Sequence, residues 1–590
     1  MCGIVAYLGK KNNVKNLIKI LKKLEYRGYD SAGFSSFEKG EFVCHKKAGN
    51  IQNLENSISD AMETTCFIAH TRWATHGEAN EVNAHPHISV KGTWSVVHNG
   101  IIENHAEIRE KLKNEPQSET DTAVVPCLFE ELNVQNFRKF VEACLCLSGS
   151  FALACQNKSN ENELFLAKRK SPLYLAQNDA QDIIVASDPI CFVGFAKDYY
   201  VFEDDEFAKV SRDGFMFFNA KCEMVSKTPT KLDDVFEDST KDSYEHFMLK
   251  EIFEQPKALE RQLKTYKDTD ALSRFNKTFI ERFNQIKLIG CGTAYHAALV
   301  GAKYISKLSG VFSTAEMASE FVYNKPVFAD SKTLFIFVSQ SGETADTLQA
   351  VEIAERSKAT TIALTNVLYS SLASKCDYVL PVCAGPEIAV ASTKAYVCQL
   401  SALFMFANHL RCELNGLKKD YFEKINFVAN NILNFNQNKI KNIAEKIIQK
   451  NDAIFIGKNL DYISSLEASL KLKEVAYVPS ASYPSGELKH GFLALVEKGT
   501  PLIVLAGNKQ TNQKTFNAMN EAVSRGAFAV VVTNSKDKIS GEVIHIEADD
   551  DMIFSMLSIA PLQFLAYQAS IIKNINPDQP RNLAKSVTVE

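Results

Sequence analysis

The sequence predicts a strand-rich α+β domain followed by two doubly wound α/β domains. Short β-branched and apolar runs dominate the N-terminal part, where one clear helical pattern places Val14, Leu17, Ile18 and Leu21 on a single face. From about Lys287 onward, apolar strands alternate with helical segments, which is typical of a parallel sheet wrapped by helices. This alternation recurs further along the chain at about the same separation, so we expect two copies of one architecture.

Shifts in composition divide the chain into four predicted segments. Residues 1–225 form the α+β domain, 226–245 a polar and acidic linker, 246–435 the first α/β domain, and 436–590 the second α/β domain with a C-terminal tail. The loop "SQSGETADT" of the first copy has no counterpart in the second. We therefore expect the two copies to share an architecture but not a task.

Composition and charge exclude several classes of protein. The net charge of -4 is spread over 590 residues, which argues against a nucleic-acid partner. No apolar run approaches the roughly 20 residues that span a bilayer, and the N-terminus lacks a signal-peptide pattern. The 14 cysteines are scattered without a CxxC pair, as expected for buried thiols in the cytoplasm. His85 and His87 lack further ligands at zinc-like spacing, so no metal or other cofactor is expected.

The chain begins with "MCGIV", so removal of Met1 would place a thiol and a free α-amine on one residue. A thiol attacks as a thiolate and therefore needs a base. An α-amine, with a pKa of about 7.7–8.0, suits that role at neutral pH. On these residues alone, an incidental cysteine on a first strand is an equal alternative to a nucleophile.

Three further segments, which hold Arg72, Asn99–Gly100 and Asp121, favour a glutamine hydrolase. Arg72 can hold a carboxylate with two hydrogen bonds, and Asp121 can hold an ammonium group. The side-chain amide of Asn99 and the backbone N–H of Gly100 can stabilise an oxyanion. Together with Cys2, these groups fit both ends and the reacting carbonyl of glutamine. The alternatives are a hairpin turn at Asn99–Gly100, and surface ion pairs at Arg72 and Asp121.

The motifs "MCGIV", "LEYRGYDSAG", "HTRWATHG", "VHNGIIENH" and "SETDT", in this order, resemble the class II glutamine amidotransferase domain, whose fold is of the N-terminal nucleophile type. This resemblance implies a glutamine site made by six residues. They are Cys2 as nucleophile with its freed α-amine as base, Asn99 and Gly100 as oxyanion hole, Arg72 and Asp121 as glutamine-binding groups, and Trp73 on the ammonia route.

The segment "TLFIFVSQSGETADT" carries an apolar strand into Ser339, Gln340, Ser341 and Thr344, and then into a helix. Hydroxyls and free N–H groups at a helix N-terminus are suited to bind phosphate. An ordinary N-cap is the alternative, but one hydroxyl would satisfy a cap and this segment has three. The loop resembles the phosphate loop of the sugar isomerase (SIS) domain.

Nearly the whole chain resembles the glutamine–fructose-6-phosphate aminotransferases (isomerising), also called glucosamine-6-phosphate synthases. The resemblance includes "GCGTAYHA", "EIAVASTKAY", "LEASLKLKE", "GELKHG" and "DQPRNLAKSVTVE". It implies a homodimer that transfers ammonia from glutamine to fructose 6-phosphate and isomerises the product to glucosamine 6-phosphate. This would be the first step of amino-sugar synthesis, towards UDP-N-acetylglucosamine.

The resemblance also implies a set of sugar-site residues. They are Ser339, Gln340, Ser341 and Thr344 for the phosphate, Thr293 and Lys471 for the sugar, His490 for ring opening, Lys585 for a Schiff base, and Glu474 for proton transfer from C1 to C2. We expect the C-terminal tail to fold over this site and deliver Lys585. The simpler alternatives are a surface ion pair for Glu474 with Lys471, and a tail charge for Lys585.

Two positions depart from the family pattern, and two other functions compete. Ala294 stands where the family has serine, and Phe492 where it has proline, so a sugar contact and the loop carrying His490 are in doubt. One competing function is a class II amidotransferase with another acceptor, but no diphosphoribose or ATP-pyrophosphatase loop is present. The other is a non-catalytic sugar-phosphate sensor, which would need neither Cys2 nor Glu474.

Overall fold

The computed structural model describes residues 2–73, 77–232, 241–324 and 330–587. These residues form two compact units. The first unit holds 2–232 together with the C-terminal residues 584–587, and the second holds 241–583. Part of the predicted linker, 226–245, falls on residues 233–240, which lie outside the described residues. The four domain bounds therefore stay predictions.

The first unit consists of two antiparallel sheets with short helices. Its strands are β1 (Gly3–Asn13), β2 (Ser31–Glu38), β3 (Glu41–Ala48), β4 (Glu63–Arg72), β5 (His87–Ile88), β6 (Trp94–Ile102), β7 (Gly149–Asn157), β8 (Asn160–Arg169), β9 (Tyr174–Gln177), β10 (Ile183–Ala186), β11 (Asp198–Val201), β12 (Glu206–Ser211), β13 (Gly214–Phe218), β14 (Met224–Val225) and β15 (Thr230–Lys231). Its helices are α1 (Val14–Lys22), α2 (Ile51–Asn56), α3 (His105–Lys111), α4 (Val124–Glu131) and α5 (Phe137–Leu145). The strand orders are β15-β11-β9-β10-β1-β4-β2-β3 and β14-β13-β12-β8-β7-β6-β5.

The two sheets of the first unit pack face to face, as the alternation along β6 shows. Val97 belongs to an apolar cluster that joins Ile4 and Ile68 of the first sheet. Its neighbour Val96 points the other way and packs with Phe129 of α4. This layered arrangement confirms the predicted α+β domain. It also brings the start of β1 and the end of β4 next to the middle of β6, where candidate glutamine residues lie.

The second unit contains two five-stranded parallel sheets wrapped by helices. Its strands are β16 (Gln285–Gly290), β17 (Ser313–Met317), β18 (Thr333–Ser339), β19 (Thr360–Thr365), β20 (Tyr378–Pro381), β21 (Ala453–Gly457), β22 (Ser480–Pro484), β23 (Pro501–Ala506), β24 (Phe528–Thr533) and β25 (Glu542–His545). Its helices are α6 (Phe247–Phe253), α7 (Gln255–Asp268), α8 (Lys277–Ile280), α9 (Gly292–Ser309), α10 (Ala318–Phe321), α11 (Ala345–Arg356), α12 (Ser371–Lys375), α13 (Lys394–Asn415), α14 (Tyr421–Asn431), α15 (Gln437–Ile447), α16 (Leu460–Ala476), α17 (Asn512–Val523), α18 (Asp551–Leu557) and α19 (Ile559–Ile572).

Both parallel sheets have the same strand order, β17-β16-β18-β19-β20 in the first and β22-β21-β23-β24-β25 in the second. Their central strands, such as β18, are continuous apolar runs because both faces are covered by helices. The two predicted copies of one α/β architecture are thus confirmed. In the first copy Ile289 of β16 pairs with Phe337 of β18, so the loops that follow these strands leave the same edge of the sheet.

A long apolar stretch, Asp551–Ile572, forms α18 and α19. Contrary to the expectation from the sequence, it is long and apolar enough to cross a bilayer, but almost all of it is buried within the protein. Phe554, Phe564 and Tyr567 lie in the same core cluster as Tyr304 of α9. The stretch is therefore a core element of the second unit.

Candidate active site

The thiol of Cys2 lies beside the residue that follows β4. The backbone N–H of Trp73 donates to Sγ over 3.3 Å, and the thiol donates to the carbonyl of Trp73 over 3.6 Å. Burial raises the pKa of the Cys2 thiol, although the Trp73 N–H and the charge of Arg72 act in the opposite direction. The thiol is therefore held in its protonated form and needs a base before it can attack.

Asn99 and Gly100 lie next to Cys2 in the middle of β6. The Asn99 side-chain Nδ2 donates to the backbone carbonyl of Cys2 over 3.0 Å. Gly100 has a φ of +127°, and a Cβ there would approach the carbonyl oxygen of Ser150 to 2.1 Å, so only glycine fits. The strand continues to Ile102, which rules out a hairpin turn at Asn99–Gly100. The amide donor of Asn99 thus lies beside the residue that carries the thiol.

Arg72 and Asp121 are both buried near this thiol, and the charges of both influence its pKa. The Arg72 guanidinium donates to the carbonyls of Gly77 and Glu78, each over 3.1 Å. The Asp121 carboxylate accepts the N–H of Ile102 over 2.8 Å, and no Lys or Arg among the described residues forms an ion pair with it. Asp121 is therefore not part of a surface ion pair, and its charge can serve an ammonium group.

Four buried histidines lie behind this site, and sequence reasoning assigned none of them a role in it. His70 and His85 stack with ring centroids 4.0 Å apart, and His87 and His98 lie beside them. No group able to hold a metal ion occurs among the described residues. One signal pointed to His70, because it lies two residues before Arg72 on a strand and therefore shares its face.

The predicted phosphate loop connects β18 to α11. Thr344 occupies the N-cap position of α11, but its side chain makes no capping hydrogen bond and lies 3.5 Å from the Ser339 hydroxyl. The Ser339 hydroxyl accepts the N–H of Gly342 over 2.9 Å, and the Ser341 hydroxyl accepts the N–H of Glu343 over 3.2 Å. Thr344 is thus not an ordinary N-cap, and the loop keeps its hydroxyls together at the start of a helix.

Neighbouring segments hold this loop in place. The carbonyl of Gln340 accepts the N–H of Asn366 over 3.3 Å. The thiol of Cys291, in the loop after β16, lies 3.7 Å from the Thr347 hydroxyl in the first turn of α11. The loops after β16 and β18 therefore touch, which places Thr293 at the same edge as the phosphate loop.

A cluster of charged side chains connects α9 to α16. Lys471 donates to Glu474 over 2.6 Å and to the Thr293 hydroxyl over 2.9 Å. Sequence reasoning missed two members, Glu467 and His296. Glu467 accepts from the Thr293 hydroxyl over 3.1 Å and lies 2.7 Å from His296 Nδ1. The spacing of Glu467, Lys471 and Glu474 along α16 puts them on one face, a signal the sequence did contain.

The electrostatics of this cluster keep two of its members, Lys471 and Glu467, charged. Burial disfavours the charge on Lys471, but the Glu467 and Glu474 carboxylates outweigh it and raise the pKa of Lys471. Burial also opposes the charge on Glu467, but Lys471 and His296 lower its pKa below the ordinary value. A lysine held as an ammonium ion is a poor nucleophile. Lys471 is therefore unsuited to form a Schiff base and suited to hold Glu474 in place.

His490 does not join this cluster. It lies on an exposed turn after β22, and no described residue forms a hydrogen bond with its ring. Phe492, which stands where the family has proline, has a packing role, since its ring stacks on Tyr483 with centroids 3.6 Å apart. Ala294 lies in the first turn of α9, where its carbonyl would be 3.0 Å from a Cβ on Gly290.

The C-terminal tail runs along the second unit up to residue 583. The Asp578 carboxylate accepts the N–H groups of Phe247 and Met248 over 2.9 and 2.8 Å. Further on, the N–H of Arg581 donates to the Tyr477 hydroxyl over 2.5 Å, and the guanidinium lies over the Tyr477 ring. Tyr477 directly follows α16. Lys585, which is half-buried, comes four residues later and groups with the first unit.

Comparison with protein families gives two matches. The family model of a glutamine amidotransferase domain matches residues 70–193, and that of the SIS domain matches 279–409 and 446–573. The first range contains the end of β4, the whole of β6, and Asp121. The two SIS ranges contain the two parallel sheets, so the predicted domain types are confirmed.

Curated relatives match over their full length. A protein of Clostridium tetani named glutamine--fructose-6-phosphate aminotransferase [isomerizing] is 39% identical over 610 residues, and the match covers 100% of both chains. A Listeria monocytogenes protein of the same name is 38% identical over 604 residues, again with 100% of both chains covered.

Solved structures resemble the part of the chain that holds the parallel sheets. The C-terminal domain of glucosamine-fructose-6-phosphate aminotransferase from Francisella tularensis is 33% identical with a TM-score of 0.54, covering 58% of this chain and 99% of that one. Tagatose-6-phosphate ketose/aldose isomerase from Escherichia coli is 17% identical with a TM-score of 0.50, covering 57% and 96%, and shows the same fold.

Proposed function

The chain belongs to the glutamine–fructose-6-phosphate aminotransferase (isomerizing) family, and on this premise we propose how its residues carry out the reaction. The enzyme hydrolyses glutamine and transfers the ammonia to fructose 6-phosphate, with ketose–aldose isomerisation. The products are glutamate and glucosamine 6-phosphate. The competing functions, another acceptor or a non-catalytic sensor, do not fit relatives of this name at full length.

Glutamine cleavage takes place at Cys2. After removal of Met1, the free α-amine takes the thiol proton, and the thiolate attacks the side-chain amide carbon of glutamine. The oxyanion accepts hydrogen bonds from Asn99 Nδ2 and the Gly100 N–H. The amide nitrogen takes up a proton and leaves as ammonia, and water hydrolyses the remaining thioester to glutamate. Arg72 and Asp121 hold the carboxylate and ammonium groups of the substrate.

Fructose 6-phosphate binds at the carboxyl edge of the first parallel sheet. Its phosphate accepts hydrogen bonds from the loop hydroxyls of Ser339, Ser341 and Thr344, from the Gln340 side chain, and from N–H groups at the start of α11. The contact between Cys291 and Thr347 supports this position, because it brings the Thr293 segment next to the phosphate loop. His490 assists ring opening, and Trp73 lies on the route of ammonia.

Lys585 forms a Schiff base with the C2 carbonyl, releasing water, and ammonia then displaces the lysine. Glu474 removes a proton from C1 and returns one to C2, which converts the ketose imine into the amino aldose. The charge on Lys471 excludes it from the Schiff-base role. Lys585 suits it better, because four extended residues after Arg581 span up to about 14 Å, and Arg581 is fixed beside the end of α16.

The observation that carries this proposal is the contact of Lys471 with Glu474 over 2.6 Å and with Thr293 over 2.9 Å. It supports the proposal because Thr293 lies at the same edge of the sheet as the phosphate loop, so the Glu474 carboxylate is close to that edge. Incubation with glutamine and fructose 6-phosphate, with assays for amino sugar and glutamate, tests the proposal. Glutamate without amino sugar would contradict the acceptor.

The separation of the two chemistries has its own test. Cys2→Ala should abolish synthesis from glutamine but leave synthesis from free ammonia, because Cys2 serves glutamine cleavage alone. Deletion of residues from Asn582 onward should have the opposite effect, with basal glutaminase activity kept and amino-sugar formation lost. Amino-sugar synthesis by the truncated protein, or a borohydride-trapped adduct on another lysine, would show that the Lys585 assignment is wrong.

Family membership also supports a cytoplasmic homodimer without a nucleic-acid or membrane partner. Light scattering on the purified protein tests the oligomeric state, and a mass equal to one chain would contradict it. Intact-mass measurement of active enzyme tests the removal of Met1. Full glutaminase activity with Met1 retained would contradict the α-amine as base.

A further inference from the structure

We propose that His70 is a positioning residue for the oxyanion hole, because it holds the Asn99 side-chain amide in the one orientation that presents Nδ2 to the reacting carbonyl. This inference rests on the role of Asn99 in the proposed function and adds a residue to it. His70 itself does not touch the glutamine carbonyl in this arrangement. It acts through Asn99 alone.

The hydrogen bonds around Asn99 define the orientation of its amide. Nδ2 donates to the backbone carbonyl of Cys2 over 3.0 Å, so Oδ1 points the other way. There it meets Nε2 of His70 at 3.1 Å. The same Nε2 lies 2.9 Å from the backbone carbonyl of His98. Both neighbours of Nε2 are acceptors, so Nε2 carries the proton and donates to both.

The protonation state of His70 is also fixed. Burial lowers the pKa of His70 to about 3, so the ring is neutral throughout the working pH range. Its single proton is on Nε2, and Nδ1 has no hydrogen-bond partner among the described residues. The ring stacks on His85 with an interplanar angle of 14°, and the His98 N–H donates to His85 Nδ1 over 3.3 Å. The donor that faces Asn99 therefore neither titrates nor rotates.

A fixed donor matters because an asparagine amide can turn over with little steric cost. In the reversed orientation Oδ1 would face the developing oxyanion, and an attraction would become a repulsion. A reversed amide would also place its NH₂ group against the Nε2–H of His70, donor against donor, which the neutral His70 forbids. Loss of one oxyanion-hole donor typically costs about 10²–10³ in kcat.

The test compares two substitutions at one position in the full-length enzyme. His70→Leu removes the donor and keeps an apolar filling of similar size. His70→Gln keeps an N–H group close to the position of Nε2. We expect the Leu variant to lose about 10–100-fold in kcat for glutamine hydrolysis, less than the roughly 10²–10³-fold loss for a removed donor because Asn99 itself remains, with KM for glutamine little changed. The Gln variant should recover most of that loss.

A double-mutant cycle distinguishes positioning from general damage. In an Asn99→Ala background, His70→Leu should cost almost nothing more, because the amide that it positions is gone. Synthesis from free ammonia should stay at the wild-type level in every variant and shows that the second unit is folded. An unchanged thermal unfolding profile shows the same for the first unit. His45→Leu, which removes a histidine outside the cluster, is the matched control and should leave kcat unchanged.

The possible failures can be told apart. Three results would overturn the role of His70. They are full kcat in His70→Leu, a change in KM alone, and a His70→Leu loss in kcat that is equally large in the Asn99→Ala background and in the wild type. Full activity in Asn99→Ala by itself would instead overturn the oxyanion role of Asn99, and with it this part of the proposed function.

Discussion

The two parallel sheets of the second unit have the same strand order but different loops at their carboxyl edges. After β18 the first copy has three hydroxyls and a glycine, and the second has Gly507 and Asn508 after β23. The helices that follow the first central strand of each copy, α9 and α16, also differ in their first turn. A Cβ on Gly290 would meet Ala294 and Tyr295, and one on Gly457 would meet Asp461 and Tyr462. Asp461 therefore occupies in the second copy the place of Ala294 in the first.

The side chain of Asp461 fills the crevice at the carboxyl edge of the second sheet. It is fully buried, its Oδ2 accepts the N–H of Gly507 over 3.0 Å, and the N–H of Asn508 also faces it. The ring of Phe554 fills the remaining space, since a Cβ on Gly507 would lie 1.9 Å from it. The loop N–H groups that would bind a phosphate in the first copy are thus used by the protein itself in the second.

Helix α16 starts at the crevice of the second copy, which Asp461 fills, and its later residues contact the crevice of the first copy. Further along α16, the side chains of Glu467 and Lys471 extend to the first copy. There they contact Thr293 and His296 of α9. The two copies thus keep the same core architecture but differ at the crevice. In the proposed function, the second copy supplies acid–base groups to the crevice of the first.

The largest expected effect is a loss of amino-sugar formation when Glu474 of α16 is replaced. Glu474→Gln should lower amino-sugar formation by about 10²–10⁴-fold, the usual contribution of a general acid–base group, because the carboxylate proposed to move the proton is removed. Steady-state assays of glucosamine 6-phosphate measure it. Glu521→Gln on α17, which removes an exposed carboxylate of the second copy, is the control. Normal synthesis by Glu474→Gln would contradict the account.

A smaller effect is expected from the loops themselves. Ser339→Ala combined with Thr344→Ala should raise KM for fructose 6-phosphate by about 10–100-fold. This is the equivalent of roughly one hydrogen bond to a charged group, at about 1.5–3 kcal/mol, because the Ser341 hydroxyl and the loop N–H groups still hold the phosphate. Thr511 is the matched control, because it occupies the N-cap position of α17 and also makes no capping hydrogen bond. If Thr511→Ala raised KM as much, the two crevices would not differ as described.

The smallest expected effect is on stability. Burial raises the pKa of Asp461 to about 7, well above its ordinary value of 3.8. Because the folded state binds this proton more tightly than the unfolded state, the contribution of Asp461 to stability is full below about pH 4 and is lost as the pH rises through about 7.

Asp461→Asn cannot ionise, so its Tm relative to wild type should rise between about pH 5 and pH 9, by roughly 2–4 °C for each kcal/mol. Calorimetry at both pH values measures the difference. A Tm difference that is the same at both pH values would show that Asp461 does not titrate in this range.

The alternation of apolar runs and helical segments allowed both sheets to be predicted, because parallel strands covered on two faces leave a strong local pattern. The "SQSGETADT" loop was likewise visible, since it interrupts that pattern with hydroxyls. Cys2 and the Asn99–Gly100 pair were identified through the family resemblance, and the structure brings them into contact.

The remaining features depend on contacts between distant segments, which no local pattern contains. Asp461 is an ordinary helix residue until the fold buries it under Gly507. His296 gains its role only because α9 and α16 pack together, and they are separated by more than one hundred residues. His70 meets Asn99 across two different sheets.

The central claim is that each chain has one sugar-phosphate site, in the first crevice. Equilibrium dialysis with a labelled, unreactive open-chain hexitol 6-phosphate tests it directly, because binding can then be counted without turnover. We expect one molecule bound per chain in the wild type, a weakening of that binding in the Ser339→Ala, Thr344→Ala protein, and no change in Thr511→Ala. Two molecules per chain, or a site that persists undiminished without the hydroxyls of Ser339 and Thr344, would contradict the account.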